Sequence, residues 1–570
     1  MGDSAFRIEP RRLVFDHLRE HALRTPEREA IVHVVSDEPP YRWRWGPLLR
    51  AASGAARWLA AKGVQKGDVC ALIVRHHSHF YPLYLGISAL GALPAVLAYP
   101  NPRLHPDKLR QGLEGMAMRS GLDHVLTEGE LSATVEPLLS GGWSTIQSIL
   151  YPLEASAETF REAELPIRAE AVDSDAPCLL QHSSGTTGLQ KPVVLSHRAV
   201  LQHLLRYSRA IELTPDDRVV SWLPLYHDMG LIAAFYLPLV CGVPLVQLSP
   251  MEWVASPAML LREISNEGGT LSWLPNFAYS FMAARIREED LEGVRLERLR
   301  LLVNCSEPVR AESHQRFFQR MAPYGLRRES LGACYAMAET TFAVTQTPPG
   351  VEARQVCVDR SELALGRVVP VPGTEGPSAR LCVSSGIPLP GCSLRLMDGD
   401  VEVTAGGMGE IVVASESLFE GYRNYPEKTA EVLADGWYRT GDLGFLHEGE
   451  CYVVGRKKDL IVVAGNKLFP EDVEALAATV AGVIAGRVVA FGAEDVELGT
   501  ETLCVVVESD VVGEDAQRRL RLDILRAGMT SDVSIARVYV AAPRWLVKSS
   551  SGKLARAANR DRALVELTWK

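Results

Sequence analysis

No Cys-x-x-Cys pair occurs in this 570-residue sequence. Its ten cysteines are scattered singly, so the simplest expectation is a reduced, cytoplasmic chain with small buried thiols. Positive charge is in deficit. Lys and Arg number 60 against 70 Asp and Glu, a net charge of -10, which argues against broad nucleic-acid binding. Short-period repeats and low-complexity tracts are missing, which sets solenoids aside. The opening MGDSAFRIEPRRL lacks the apolar core of a signal peptide, and Phe6 stands where a myristoylation pattern wants Ser or Thr.

Long apolar runs are nearly absent too. One stretch, Phe80 to Tyr99, has twenty residues without a charge, enough by length to cross a bilayer. Pro82, Gly91 and Pro94 divide it into helix, turn and strand. LIAAFYLPLVCGVPLVQLS repeats the layout around Gly242 and Pro244. Two helix–strand crossovers of an α/β core are therefore expected, and no membrane span.

What is present is globular: 47% apolar and 23% charged residues, with length for roughly three or four domains or subdomains. Helical spacing at Leu48, Leu49, Ala52, Ala56 and Leu59 ends at Gly63, and Val69–Val74 follows as an apolar strand. Such alternation continues through about two-thirds of the chain and implies parallel sheets with helices on both faces. From Pro348 to Tyr452 the texture turns to Gly, Pro and short β-like runs. The last hundred or so residues return to alternating strands and helices, a size suited to a separate small domain.

HSSGTTGLQKPVVLSH, His182–His197, carries the densest chemistry. CLLQ before it and PVVL within it read as strands, so the Gly- and hydroxyl-rich loop between them suits an anion nest, to which Lys191 adds charge. It is not a P-loop, which needs Gly-x4-Gly-Lys-Ser/Thr opening a helix. By itself the stretch is equally readable as a flexible loop.

The stretch resembles the phosphate loop of the adenylate-forming (AMP-binding) superfamily, with Gln190 in place of a proline and Pro192 in place of a glycine. Further resemblances follow in the family's order: WLPLYHDMGL (Trp222–Leu231), PNFAY (Pro275–Tyr279), NCSEP (Asn304–Pro308), YAMAETT (Tyr335–Thr341), WYRTGDLGF (Trp437–Phe445), GRKKDLIVVAGNK (Gly455–Lys467) and VKSSSGKLAR. An exposed Asp, Arg or Lys taken singly is usually a solvated charge; motifs in register across nearly the whole chain make that reading poor for the set. The chain is most similar to a fatty acyl-AMP ligase.

That resemblance implies an α/β fold: a large N-terminal domain of doubly wound sheets plus a β-rich subdomain, hinged to a small α+β C-terminal domain. The large AMP-binding domain would span 1–455, with two α/β subdomains to about 347 and a β-rich subdomain with a ligase-type insertion at about 348–455. The hinge would be 456–458, pivoting at Lys458, and the mobile small domain 459–570. Ser183, Ser184, Gly185, Thr186, Thr187, Gly188 and Lys191 would bind the phosphates of ATP. Ser306, Glu307, Pro308, Tyr335, Ala336, Asp442 and Arg456 would hold adenine and ribose, with Tyr335 stacking on the base and Asp442 accepting from the ribose hydroxyls. His227, Asn276, Phe277, Cys305, Ala336 and Met337 would line the acyl site. Glu339 would hold Mg²⁺, and Lys553 and His227 would be the catalytic residues.

The implied chemistry is attack of a carboxylate on the α-phosphate of ATP, giving acyl-AMP and pyrophosphate, then transfer to a thiol. Amino-acid-activating relatives carry an Asp where His227 stands here; without it an α-ammonium would be buried unpaired, which favours a fatty or other apolar acid. Cys305 and Ala336 replace glycines common in relatives, which points to a narrower tunnel and a shorter or branched acid. Val356–Gly391 resembles the ligases' insertion, whose apolar residues would pack on the large domain and restrain rotation. That makes the acceptor the phosphopantetheine thiol of an acyl carrier protein, on another chain because none follows Lys570. An acyl- or aryl-CoA ligase using free CoA is the alternative enzyme, and a non-catalytic acyl- or nucleotide-binding pseudoenzyme the alternative from another class.

Overall fold

The computed structural model describes residues 6–100, 106–140, 144–163, 173–182, 191–373, 379–463, 466–495, 500–531, 533–548 and 554–567. The fold is α/β, with a large parallel-sheet N-terminal part and a smaller C-terminal region.

Its centre is a nine-stranded sheet. Strands Glu29–Val34, Leu245–Leu248, Val219–Ser221, Leu271–Pro275, Leu301–Cys305 and Leu331–Ala336 run parallel, each next to its neighbour in that order. Most of their residues are buried, as helices on both faces demand. A second parallel sheet joins Leu93–Val96, Val69–Ile73, His124–Thr127 and Ser148–Leu150.

Both uncharged runs fold as their punctuation predicts. Phe80–Leu90 is a helix, closed by Gly91 in the left-handed region at φ 73°, before strand Leu93–Val96. Met229–Tyr236 is wound as a π-helix, Leu237–Cys241 continues it, and Gly242 at φ 72° turns the chain into Leu245–Leu248. Wider helical winding so close to the HDMG turn is a common mark of functional segments. Among the described residues no helix is long and apolar enough to cross a membrane, and all ten cysteines are free thiols.

Beyond residue 390 the sheet Cys392–Asp398, Gly409–Ser415, Trp437–His447 and Glu450–Arg456 is antiparallel. The insertion forms a hairpin, Gln355–Asp359 with Ala379–Val383, and its short strand Ile387–Pro388 adds to the edge of the central sheet. Val358, Leu363 and Cys382 pack with Phe445, Tyr452 and Val454, and also with Phe469 beyond the expected hinge. The expected packing on the large N-terminal part is thus joined by a contact with the C-terminal region. Arg380 draws that contact tight: it donates to the Val454 carbonyl at 2.8 Å, pairs with Asp472 at 3.2 Å and lies over the Phe469 ring.

In the C-terminal region strands Val488–Asp495, Thr500–Glu508 and Arg537–Ala541 form a sheet whose residues alternate between two small cores. Val488 and Ala490 face Val473, Leu520 and Ile524. Val489 and Phe491 face Leu546 and Ala563. A period of two on a sheet covered by helices on both sides explains the division.

Candidate active site

Ligands of open parallel sheets bind beyond the carboxyl ends of the strands. Trp222, Asn276, Ser306 and Met337 all follow such ends directly.

The acyl-side residues form one wall. Gly230 is required there, because a Cβ would stand 2.1 Å from the Pro224 carbonyl oxygen. His227 is half-buried with its ring edge-on to Tyr226. Asn276 is buried, and its Oδ1 accepts from the Asn304 amide and from Arg310 N–H, at 3.1 and 3.0 Å. It pins the 304–310 loop. In that loop Ser306 sits at φ 69°, a left-handed conformation costly for a residue with a Cβ. Glu307 accepts from the Phe277 N–H at 2.9 Å. Phe277 is exposed, Pro308 is exposed, Ala336 and Met337 are half-buried, and Cys305 is sealed.

The nucleotide-side residues form a second group. Tyr335 donates to Asp442 at 2.7 Å, and Arg456 pairs with the other carboxylate oxygen at 3.1 Å. Burial, and then the Asp442 charge, hold the Tyr335 phenol protonated far above its usual range. Glu339 is buried and accepts from the Tyr422 hydroxyl at 2.7 Å. Lys191 lies over the Tyr422 ring, 4.7 Å from its centroid. Burial lowers the Lys191 pKa, and the Glu339 charge opposes that fall. Arg456 interacts with Asp442, Tyr335 and Glu339, and Lys191 with Glu339 and Arg456, so the two groups form one charged constellation.

Sequence reasoning missed Tyr422. It lies 83 residues from Glu339 with no local signature, and only the pairing of Gly421–Tyr422 with Pro192–Ser196 brings it there. Ser183, Ser184, Gly185, Thr186, Thr187, Gly188 and Lys553 lie outside the described residues. Their flanks are informative. Strands Pro177–His182 and Pro192–Ser196 pair across the first gap. Lys548 and Leu554 pair across the second, and Lys548 interacts electrostatically with Glu307. Lys548, the last described residue before that stretch, thus lies within electrostatic reach of Glu307.

The donor set suits a magnesium ion that arrives with phosphates. Glu339 offers a second carboxylate oxygen with no hydrogen-bond partner among the described residues, and among those residues no group of three or more ligands forms a self-sufficient cage. Magnesium commonly takes one or two carboxylates and fills its octahedron with phosphate and water.

Known proteins of similar sequence and fold identify the family. The family described as AMP-binding enzyme matches residues 18–423. A 4-hydroxyphenylalkanoate adenylyltransferase of Mycobacterium tuberculosis is 29% identical, over 96% of this chain and 91% of the relative. A putative fatty-acid–CoA ligase, FadD21, of the same organism is 30% identical over 96% of each. A solved structure from a study of fatty acyl-adenylate ligases of E. coli and L. pneumophila superposes with a TM-score of 0.88 at 27% identity, covering 98% of both chains. With residues 18–423 matched and a 30%-identical relative aligned along nearly its whole length, the chain belongs to the AMP-binding enzymes and is an AMP-forming ligase of the fatty acyl-AMP ligase type.

Proposed function

We infer that this protein activates a fatty or other apolar carboxylic acid with ATP, forming acyl-AMP and pyrophosphate, and passes the acyl group to the phosphopantetheine thiol of a separate acyl carrier protein in the cytoplasm. The observation that carries the reading is the convergence of Tyr335, Asp442 and Arg456 with Glu339, Tyr422 and Lys191 beyond the carboxyl ends of the parallel strands.

In this reading Asp442 and Arg456 receive the ribose and the 306–308 loop with Tyr335 receives adenine. Glu339 holds Mg²⁺, which supplies charge neutralisation on the phosphates. Lys191 and the 183–188 loop bind the phosphate oxygens through ammonium and N–H donors. A carboxylate oxygen of the acid attacks the α-phosphorus; the bond to the bridging oxygen breaks, and pyrophosphate leaves with the electron pair. Both reactants are anions, so positive charge placed in advance lowers the barrier. Lys553 bridges carboxylate and α-phosphate and fixes the line of attack, while His227 orients the acid. In the second half the thiolate attacks the acyl carbon and AMP leaves.

Lys553 has to withdraw to admit the thiol, by rotation of the 459–570 domain about Lys458. Two ion pairs support that pivot. Lys457 is tied to Glu410 at 3.1 Å, and Asp459 to Arg556 at 2.7 Å. Lys458 thus separates a residue anchored on the large domain from one anchored on the small. The Arg380 contacts with Asp472 and Phe469 favour the domain arrangement described here, which supports a carrier protein over free CoA as acceptor.

Acid-dependent ATP–pyrophosphate exchange with Mg²⁺ tests the first half, and Lys553→Ala should abolish it. A protein that binds ATP and a fitting acid without exchange defeats the reading. Loading of holo-carrier against free CoA tests the second half, and efficient acyl-CoA formation would transfer the assignment to the CoA ligases.

A further inference from the structure

The acyl wall ends on a closed aromatic floor. Trp222 follows strand Val219–Ser221, and Trp253 lies on helix Pro250–Ala255 after the neighbouring strand. Their rings stack with centroids 3.6 Å apart and planes within 4° of parallel. Phe277 meets both nearly edge-on, at 6.4 and 6.2 Å. Phe277 is 36% exposed, whereas Trp222 is 5% and Trp253 0% exposed. Behind the exposed Phe277 both indoles are therefore closed off from solvent. Met229 and Cys305 are buried as well.

A channel ready for a long alkyl chain leaves its lining accessible; close-packed side chains leave none. Both indole N–H groups are also buried without an acceptor among the described residues.

We propose that the Trp222–Trp253 stack is the end-stop of the acyl site, that Trp253 sets its length limit, and that the acid taken is compact, short-chained or aryl-tailed, rather than long and straight. This rests on the ligase reading above and names its substrate class.

The test is a series of butanoate, octanoate, hydrocinnamate, dodecanoate and palmitate with the full chain, read as kcat/KM for pyrophosphate release. The compact acids should exceed palmitate by about tenfold or more. Trp253→Leu should move the optimum toward dodecanoate, and Trp253→Phe should move it less. Acyl-sulfamoyl-adenosines of the same lengths, measured by calorimetry, read the floor without turnover. Length discrimination in binding with no turnover keeps the end-stop and removes the ligase reading. A wild type that prefers palmitate in turnover or in binding overturns the end-stop and leaves the ligase reading standing. Loss of rate in Trp253→Leu at every length, with an unmoved optimum, reduces Trp253 to a packing residue and overturns its role. Should that variant fail to fold, the wild-type series and the phenylalanine variant decide.

Discussion

The Tyr335 hydroxyl donates a 2.7 Å hydrogen bond to Oδ2 of Asp442, while Arg456 occupies Oδ1. The carboxylate proposed for the ribose is thus held at both oxygens before any nucleotide arrives. Tyr335→Phe removes one charge-assisted bond and keeps the ring. The KM for ATP should rise on the order of tenfold. Exchange kinetics at saturating acid check this, and an unchanged KM would separate Asp442 from ribose binding.

Tyr422 orients Glu339 through its hydroxyl. A partner that orients a metal-binding carboxylate is typically worth about tenfold in metal affinity. Tyr422→Phe should therefore shift the Mg²⁺ concentration for half-maximal rate upward by that order, and Glu339→Gln further. A magnesium titration with no shift in either variant removes Glu339 from the metal role.

Lys191 sits below the ordinary lysine range because burial outweighs the Glu339 charge. Only its ammonium binds phosphate. Nucleotide capture should be complete below the lowered pKa and decline as pH rises through it. A pH profile of kcat/KM for ATP should show this alkaline limb, and Lys191→Arg should push it to higher pH.

Arg380 joins the insertion to the small domain through a mostly buried ion pair with Asp472. Discounted for its residual exposure, breaking it should cost about 1–3 kcal/mol of that contact. Arg380→Ala should leave exchange largely intact and raise thiolation of free CoA. If adenylation falls and CoA use does not rise, the insertion does not restrain rotation.

Glu474 is half-buried beside Arg556 and Glu471, and desolvation raises its pKa to about 7. The folded state therefore binds a proton more tightly than the unfolded chain. That stability is fully present below the unfolded value of 4.5 and is lost as pH rises to about 7. Glu474→Gln should flatten the fall in Tm between acidic and neutral pH. An equal slope in both proteins would show that Glu474 does not drive it.

The candidate site could be sought in the sequence because its motifs are local. Short runs such as YAMAETT and WYRTGDLGF put Glu339 in the turn after strand Leu331–Ala336 and Asp442 within strand Trp437–His447, and the turns at Gly91 and Gly242 follow from backbone sterics that neighbouring residues dictate. Asn276 carries more than its motif announced: its Oδ1 also holds the 304–310 loop.

The sequence alone determined the alternating α/β core, the β-rich later segment and the order of the motifs, because periodicity and turn residues act over a few positions. Only tertiary structure decided that Tyr422 reaches Glu339, that Arg380 crosses to Asp472 and that Trp222 lies flat on Trp253. Those contacts join residues far apart in the chain, and their partners are fixed by how sheets and helices pack, which no local pattern encodes.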